Sequence, residues 1–250
     1  MGCQQTCVTN GTTGKVEGIT MVKCLTTESF LRQIESTLSL QEKERLTVML
    51  SIEETLWAQG FARIAGTDEA GRGPIAGPIV AAAVVLQSPL SGLNDSKQLS
   101  EARREALYAQ IFAEKHDVGV AIISAADIDR YGIQHANFAA MIESVGALSQ
   151  PPDFVLVDGY NLSGLFQPVM RVIKGDARSL NIAAASIVAK VTRDRLLLKM
   201  DKSYPGYGFA RHKGYGTREH LDALARLGPC PEHRKSFAPL SRKEDTSSLL

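Results

Sequence analysis

This 250-residue sequence has no long hydrophobic run, no C-x-x-C pair of cysteines and a formal net charge of only +1. The longest apolar run, Ile79 to Leu86, falls far short of the ~20 residues that a membrane-spanning helix needs, so we expect a buried strand there and no association with a membrane. The four cysteines, none of them in a C-x-x-C pair, are Cys3, Cys7, Cys24 and Cys230. A zinc site is therefore not expected, and the lack of an apolar signal-peptide core favours a cytoplasmic location.

The N-terminal segment combines a short acylation pattern with a polar composition. Met1 to Thr6 fits the Met-Gly-x-x-x-Ser/Thr pattern of myristoylation, with Cys3 placed for a second acylation. Thr9 to Gly14 is rich in Thr, Gly and Asn and poor in apolar residues, which is typical of disorder. We expect residues 1–26 to form a disordered leader, and a lipid anchor is the alternative.

Positive charge is concentrated in one part of the chain, although the formal net charge is only +1. Between Arg171 and His220 the sequence has eleven Lys and Arg residues against four Asp and Glu residues. A basic segment in a nearly neutral chain suits contact with the phosphate backbone of a nucleic acid. A solvated helix face would explain the same residues equally well.

The chain divides into a helical N-terminal appendage and one larger domain. Residues 27–60 carry apolar side chains at helical spacing and are expected to pack against the main domain, residues 61–240, which a flexible tail, 241–250, follows. The strands predicted in the main domain are Phe61–Asp68, Ile79–Leu86, Val118–Ile123, Phe154–Val157 and Val169–Ile173. The predicted helices are Ser100–Lys115, Ala125–Leu148 with a break at Gly132, Leu180–Tyr204 and Thr217–Leu227. A strand hairpin followed by alternating helices and strands predicts a mixed-sheet α/β domain.

Three of the predicted strands end in acidic residues: Asp68 with Glu69, then Asp158, then Asp176. Strand ends at one rim of an α/β sheet are where sites assemble. Because neighbouring strand residues point to opposite faces, Asp68 and Glu69 can share a site only if the first strand ends between them. Clustered carboxylates favour hard divalent cations, Mg²⁺ or Mn²⁺, and two such ions could activate water at a phosphodiester. The alternative is that these acids are surface turn residues.

A glycine-rich turn follows the first acidic pair. Gly71-Arg72-Gly73-Pro74 lacks the G-x-G-x-x-G spacing of a dinucleotide-binding loop, and it leads into a strand rather than a helix. Two glycines around an arginine let the backbone approach a ligand closely and present its N–H and C=O groups. A plain tight turn is the alternative.

A series of motifs resembles ribonuclease HII, the type 2 ribonuclease H family, over about residues 61–240. The stretches that carry the resemblance, in the family's order, are Gly66 to Pro74, Ala76 to Pro78, Leu93 to Lys97, Val157 to Gly159, Lys174 to Asp176, Ala184 to Asp194, His212 to Thr217 and Pro231 to Leu240. One departure is Gln98, which stands where many relatives carry a second lysine. This departure puts only the affinity for the nucleic-acid backbone in doubt.

The resemblance implies a ribonuclease H-like fold, a mixed sheet flanked by helices with a helical C-terminal extension, and a set of site residues. The catalytic, metal-binding carboxylates would be Asp68, Glu69, Asp158 and Asp176. The backbone of Gly71, Arg72 and Gly73 would sense a ribose 2′-hydroxyl, the group that distinguishes RNA from DNA. Tyr215 would stack on the sugar beside the scissile ribonucleotide. Further candidates for substrate contacts are Lys97, Lys174, Ser186, Lys190 and Lys213, whereas Asp194 is expected to form a structural ion pair.

The activity implied by the resemblance is that of an endonuclease that uses two Mn²⁺ or Mg²⁺ ions. It would cut the RNA strand of RNA/DNA hybrids and the 5′ side of single ribonucleotides in duplex DNA, leaving 5′-phosphate and 3′-hydroxyl ends. The expected partner is nucleic acid and the expected state is a monomer. Two alternatives stay open: an activity like that of ribonuclease HIII, which prefers runs of RNA, and a catalytically silent hybrid-binding protein.

Overall fold

The computed structural model describes residues 25–34, 36, 38–94, 96–114 and 116–242. The strands in these ranges are β1 Ile64–Ala70, β2 Ile79–Val85, β3 Asp117–Ile123, β4 Phe154–Asp158 and β5 Val169–Val172. They form one sheet in the order β3-β2-β1-β4-β5. Strand β2 pairs antiparallel with β1 and β3, whereas β4 pairs parallel with β1 and β5. The predicted mixed sheet that starts with a hairpin is confirmed.

The helices lie around this sheet. Over the described ranges they are α1 Thr27–Leu31, α2 Leu40–Met49, α3 Ser51–Ala58, α4 Glu101–Ala113, α5 Ala125–Tyr131, α6 Ile133–Gly146, α7 Leu180–Ser203, α8 Phe209–His212 and α9 Arg218–Leu227. Ser100 caps α4 and Thr217 caps α9, each accepting a backbone N–H with its side chain, and Gly132 separates α5 from α6, as the sequence predicts. Within the described ranges no helix combines the length and the apolar character needed to cross a bilayer.

Helices cover both faces of the sheet because alternate strand residues point to opposite sides. On β2, Ala82 and Val84 pack in the hydrophobic cluster that includes α4 and α7 residues, whereas Ala81 and Ala83 pack in the cluster of α5 and α6 residues. Small residues bring α7 close to β1: a Cβ on Gly66 would overlap the backbone of α7. The long helix α7 therefore lies directly against the strand that carries the acidic pair.

The N-terminal helices pack on the α7 side of the sheet. Phe30 of α1 and Trp57 of α3 are buried, with ring centroids 5.4 Å apart. Glu53 of α3 is fully buried and accepts hydrogen bonds from Ser179 Oγ (2.6 Å) and Asn181 Nδ2 (3.2 Å) at the start of α7. Burial raises the pKa of the Glu53 carboxyl to about 7. These contacts tie the N-terminal helices to the sheet, while most of the predicted leader (residues 1–24) and of the predicted tail (243–250) lies outside the described residues.

Candidate active site

A cavity of about 470 Å³ opens where β1 and β4 end. Its walls come from the end of β1 and the glycine turn, the loop before α4, the end of β4, helix α7 and the loop after α8. The predicted site residues that line it are Asp68, Glu69, Gly71, Arg72, Gly73, Lys97, Asp158, Ser186, Lys190 and Tyr215. Three predicted site residues do not line it: Lys174, Asp176 and Lys213.

Asp68 and Glu69 are neighbours within β1, and both line the cavity. The predicted strand end at Asp68 is wrong, because β1 continues to Ala70, which pairs with Val80 of β2. On its other side, β1 pairs with β4 only as far as Thr67. Beyond Thr67 no pairing with β4 continues, and both carboxylates line the cavity there although the strand does not end between them.

The acidic side chains of the cavity perturb one another. Burial, together with the nearby charges of Glu69 and Asp158, raises the pKa of Asp68. Burial also raises the pKa of Glu69 to about 7, although the positive charge of Arg72 opposes this rise. Glu69 Oε2 is buried and accepts no hydrogen bond from the described residues. A bound cation would reduce the repulsion between the carboxylates and would give Glu69 Oε2 a partner. This all-oxygen donor set therefore suits a hard divalent ion.

Gly175 connects the third and fourth predicted carboxylates. Its backbone N–H donates to Asp158 Oδ1 at 2.6 Å. Asp176 is buried in the 3₁₀ helix Gly175–Ala177 that follows β5. Among the described residues, no three acidic, histidine or cysteine side chains converge into a ready-made metal site. The structure thus brings three of the four predicted carboxylates to the cavity wall and leaves Asp176 beside the residue that hydrogen bonds to one of them.

Helix α7 supplies a polar wall. Ser186 Oγ lies 2.8 Å from Ser96 Oγ, and its hydrogen bond to Asp68 opposes the rise in the pKa of that carboxyl. Lys190 Nζ donates to Asp194 Oδ1 at 2.7 Å, which confirms the predicted structural ion pair. This pair fixes the Lys190 side chain at the cavity wall, one helical turn from Ser186.

Arg234 holds the glycine turn from beneath, and the sequence reasoning did not single it out. Its fully buried guanidinium donates to the carbonyl oxygens of Gly71 (2.6 Å), Arg72 (3.0 Å) and Gly77 (2.8 and 2.9 Å). A buried guanidinium needs acceptors for its several N–H groups, and the turn carbonyls provide them. Arg234 was visible in sequence only as part of the tail motif, which does not reveal that the side chain is buried.

Arg193 of α7 is a second buried arginine that the sequence reasoning missed. It donates to the carbonyl oxygens of Ala76 (3.2 Å), Pro78 (3.0 Å) and Lys213 (3.0 Å). A Cβ on Gly71, whose φ is +102°, would overlap the Arg193 side chain, so glycine is required at this position. Arg193 thus connects the turn to the loop that carries Tyr215.

The Arg72 side chain is held by cavity neighbours. Its Cζ lies 4.8 Å from the ring centroid of Tyr160, and Nη2 donates to Gln134 Oε1 at 3.0 Å. Tyr160 is a cavity residue that the sequence reasoning also missed. Across the opening, Tyr215 is 49% exposed, and a Cβ on Gly73 would lie 3.6 Å from the Cε1 atom of its ring. The turn and the Tyr215 ring therefore border the same gap.

The sheet order and the acidic cavity define a nuclease of the ribonuclease H-like class. The structure is similar to the crystal structure of ribonuclease H2 from Pyrococcus horikoshii OT3, with a TM-score of 0.62, 25% identity, and coverage of 72% of this chain and 96% of that chain. It is also similar to the structure of the PCNA:RNase HII complex from Archaeoglobus fulgidus, with a TM-score of 0.58, 27% identity, and coverage of 68% and 92%. A mutant protein of Bst-RNase HIII, at 21% identity and a TM-score of 0.58 over 72% of this chain and 69% of that chain, shares the fold.

Sequence comparison gives the family. The family model for ribonuclease HII matches residues 65–240. Ribonuclease HII of Geobacillus kaustophilus (strain HTA426) is 53% identical over 210 residues, which are 83% of this chain and 80% of that protein. Ribonuclease HII of Geobacter metallireducens is 51% identical over 194 residues, 74% of this chain and 91% of that protein. The chain belongs to the ribonuclease HII family, and it is a nuclease of the ribonuclease H type.

Proposed function

We propose that this protein is an endonuclease that cuts the RNA strand of RNA/DNA hybrids and the 5′ side of single ribonucleotides embedded in duplex DNA. The observation that carries the proposal is the single cavity that joins the carboxylates of Asp68, Glu69 and Asp158 to the glycine turn and Tyr215. A phosphodiester at the carboxylates then has its adjoining ribose between the turn and the Tyr215 ring. The products would carry 5′-phosphate and 3′-hydroxyl ends.

In this proposal the glycine turn distinguishes ribose from deoxyribose. Arg234 binds the carbonyl oxygens of Gly71 and Arg72, and the C=O and N–H of a trans peptide group point in opposite directions. The N–H groups of Arg72 and Gly73 therefore point away from Arg234 and are available to a 2′-hydroxyl, which can accept as well as donate. Deoxyribose lacks this oxygen, so the donors that face it would lose their partner.

The carboxylates hold divalent cations in this proposal. Asp68, Glu69 and Asp158 would be ligands at the cavity, with Asp176 as the fourth acid of the set, and the raised pKa values of Asp68 and Glu69 fit residues that await a positive charge. These carboxylates would hold Mg²⁺ or Mn²⁺, two ions being expected with substrate, and the ions would supply activation of water and stabilisation of the leaving oxygen in an in-line displacement.

Basic and aromatic side chains orient the duplex. Tyr215 stacks on the sugar beside the scissile ribonucleotide, where an aromatic face can pack without regard to base identity. The remaining proposed contacts to the phosphate backbone are Lys97, Lys174, Ser186, Lys190 and Lys213. Lys97 and Lys174 are exposed, and Lys190 lies on the cavity wall. The protein would act as a monomer on nucleic acid.

A nicking assay tests the proposal. A duplex DNA with one embedded ribonucleotide is incubated with the protein and Mn²⁺ or Mg²⁺, and the product ends are mapped. We expect a nick on the 5′ side of the ribonucleotide in the wild type and a rate lower by roughly a hundredfold or more in Asp158→Asn. Asp222→Asn, which changes an exposed acid of α9, is the matched control and should cut at the wild-type rate.

Three results would overturn the proposal in different ways. Cleavage restricted to duplexes with runs of RNA would indicate an activity like that of ribonuclease HIII. Binding of the hybrid without any cleavage would indicate a silent binding protein. Full activity of Asp158→Asn would remove the carboxylate cavity from the mechanism.

A further inference from the structure

Three histidines are packed beneath the loop that carries Tyr215. His212, His220 and His233 are buried, and none of them lines the cavity. The rings of His212 and His220 stack with centroids 4.2 Å apart, and His220 Nε2 lies 3.1 Å from His233 Nε2. The proposed reaction uses none of these side chains. Buried polar groups in such an arrangement require a reason of their own.

The hydrogen bonds of His220 and His233 determine which ring nitrogens carry protons. His233 Nδ1 lies 3.0 Å from the Cys230 N–H, 3.1 Å from Cys230 Sγ and 3.3 Å from the Cys230 carbonyl oxygen, so its neighbours include a donor and an acceptor and do not by themselves place its proton. The Tyr215 carbonyl, which can only accept, lies 2.9 Å from His220 Nδ1, so His220 carries its proton there. His233 Nε2–H then donates to the bare Nε2 of His220. The Tyr215 carbonyl therefore sets the direction of the chain, and it leaves His233 Nδ1 bare to accept from the Cys230 N–H, the shortest of its contacts.

Both rings are neutral at neutral pH. Burial lowers the pKa of His220 and lowers that of His233 to about 4. A second proton on His220 would place two N–H groups against each other at the 3.1 Å contact with His233. The neutral pair therefore forms a directed relay that runs from Cys230 through His233 and His220 to the Tyr215 carbonyl.

The relay ends on the backbone that sets the position of Tyr215. The Tyr215 carbonyl also accepts from the Thr217 N–H at 2.8 Å, and the Tyr215 N–H donates to the His212 carbonyl at 2.9 Å. The preceding Gly214 N–H donates to His212 Nδ1 at 3.2 Å. The peptide groups on the two sides of Tyr215 are thus bound by the His212 backbone and the His220 ring, while Tyr215 is half-exposed at the cavity.

His233 and Gly214 contact the segment after the glycine turn. His233 forms a β-bridge with Ala76, and the Gly214 carbonyl accepts from the N–H groups of Ile75 (2.9 Å) and Ala76 (3.3 Å). The cluster therefore lies between the glycine turn and the loop that carries Tyr215. These two elements border the gap in which a Cβ on Gly73 would lie 3.6 Å from the Tyr215 ring. Its position suits control of the width of that gap.

We propose that His220 and His233 are positioning residues for Tyr215. Through the Tyr215 carbonyl, the relay fixes the ring relative to the Gly71-Arg72-Gly73 turn and so fixes the space in which a ribose is recognised. The inference rests on the proposed function, which puts a ribose in that space. It assigns a role in the reaction to two buried side chains that touch neither the substrate nor the carboxylates.

The first test does not depend on activity. Two-bond ¹H–¹⁵N correlation spectra of the histidine-labelled full-length protein at pH 7.5 distinguish the two neutral tautomers. We expect His220 with its proton on Nδ1 and His233 with its proton on Nε2, and His220→Asn and His233→Asn assign the signals. A proton on Nε2 of His220, or a doubly protonated ring at this pH, would overturn the relay.

The second test is a double-mutant cycle on kcat/KM for the single-ribonucleotide duplex. We expect His220→Leu to lower kcat/KM by about tenfold, the usual consequence of losing one buried hydrogen bond at a binding group. In a Tyr215→Ala background the same substitution should change kcat/KM by less than about twofold, because a residue that acts through Tyr215 has nothing left to position. Equal effects in both backgrounds would show a general structural role and would refute the proposal.

Further variants keep the cycle informative. His220→Asn retains a donor near the Nδ1 position and should restore most of the activity that His220→Leu loses. If His220→Leu does not fold, His220→Ala, which also lacks the donor to the Tyr215 carbonyl, takes its place in the cycle. His116→Asn changes another buried histidine, whose Nδ1 accepts from the Gln87 N–H at 3.1 Å and which does not line the cavity. This variant should leave kcat/KM unchanged. If the wild type cuts no substrate, the proposed function fails, whereas the tautomers still decide whether the relay exists.

Discussion

Gly73 faces Tyr215 across the opening of the cavity, with 3.6 Å between a Cβ built on Gly73 and Tyr215 Cε1. This is ordinary van der Waals contact, so Gly73→Ala should fold normally. Its methyl group would nevertheless occupy the space assigned to the ribose. We expect kcat/KM for a single-ribonucleotide duplex to fall about tenfold or more, since small misplacements at a reacting centre are costly. Thermal unfolding measured beside the kinetics should show an unchanged Tm.

Gly71→Ala is the matched variant two residues away. Unlike Gly73→Ala, it should lower the stability of the fold. The φ of +102° and the overlap with Arg193 make any side chain at Gly71 strained. We expect the free energy of unfolding to drop by more than about 1 kcal/mol. If Gly73→Ala were the less stable of the two, the assignment of the two glycines to different roles would be wrong.

Glu69→Gln should stabilise the metal-free protein at alkaline pH while it impairs cleavage. Burial raises the pKa of Glu69 to about 7, above its ordinary value of 4.5, so the folded state opposes ionisation. This cost to stability is absent below about pH 4.5, grows as the pH rises through 7 and is then constant. We expect a gain in the free energy of unfolding on the order of 1 kcal/mol at pH 8 that disappears near pH 4.5.

Denaturant unfolding in the presence of a chelator, at pH 4.5 and pH 8, checks this prediction. Glu44→Gln, which changes an exposed acid of α2, serves as the control and should show no such pH-dependent gain. A loss of stability in Glu69→Gln at pH 8 would mean that the cavity stabilises the charged form without a cation.

The sequence predicts elements well where one physical effect dominates. The uninterrupted apolar run gives β2, Ile79–Val85, and the polar cap Ser100 gives the start of α4. The end of β1 is mispredicted because it depends on which neighbouring strand pairs there. The pairing of β1 with β2 extends to Ala70, whereas its pairing with β4 stops at Thr67. Strand pairing is a tertiary property that alternation along one strand does not reveal.

The site shows the same division. The proposed catalytic carboxylates, such as those of Asp68 and Asp158, are recognisable because acids recur at or near the ends of several predicted strands. Arg193 and Arg234 are invisible as supports, because a lone arginine in sequence is most often a solvated side chain. Their burial results from segments that are far apart in sequence, with a separation of 163 residues between Arg234 and Gly71.

Arg234→Lys should weaken both the fold and substrate discrimination. A lysine keeps the charge, but its single ammonium cannot reach the carbonyls of Gly71, Arg72 and Gly77 together as the guanidinium does. We expect the free energy of unfolding to fall by about 2–4 kcal/mol, as for lost hydrogen bonds to a buried charge. The preference for ribonucleotide-containing over all-DNA duplex should fall as well, because the turn N–H groups lose their fixed direction.

Arg218→Lys provides the comparison, because Arg218 is exposed and pairs with Asp222 on the surface of α9. It should unfold and cleave like the wild type. Equal behaviour of the Arg234 and Arg218 variants would show that the carbonyl contacts of Arg234 contribute nothing to the turn.

Phe30→Ala tests whether the N-terminal helices and the sheet unfold together. Phe30 packs on Trp57 in the cluster that also contains α7 residues, so truncation should cost about 3–5 kcal/mol. Trp57 is the single tryptophan of the sequence, and its fluorescence therefore reports on the N-terminal helices alone, whereas circular dichroism reports on the whole chain. If residues 27–60 and the main domain form one cooperative unit, both signals should shift to the same lower denaturant midpoint.

Leu40→Ala, at a position that is 74% exposed, should shift neither. A fluorescence transition that separates from the circular dichroism transition would instead make the N-terminal helices an independent unit, whose contact through Glu53 is too weak to couple it to the sheet.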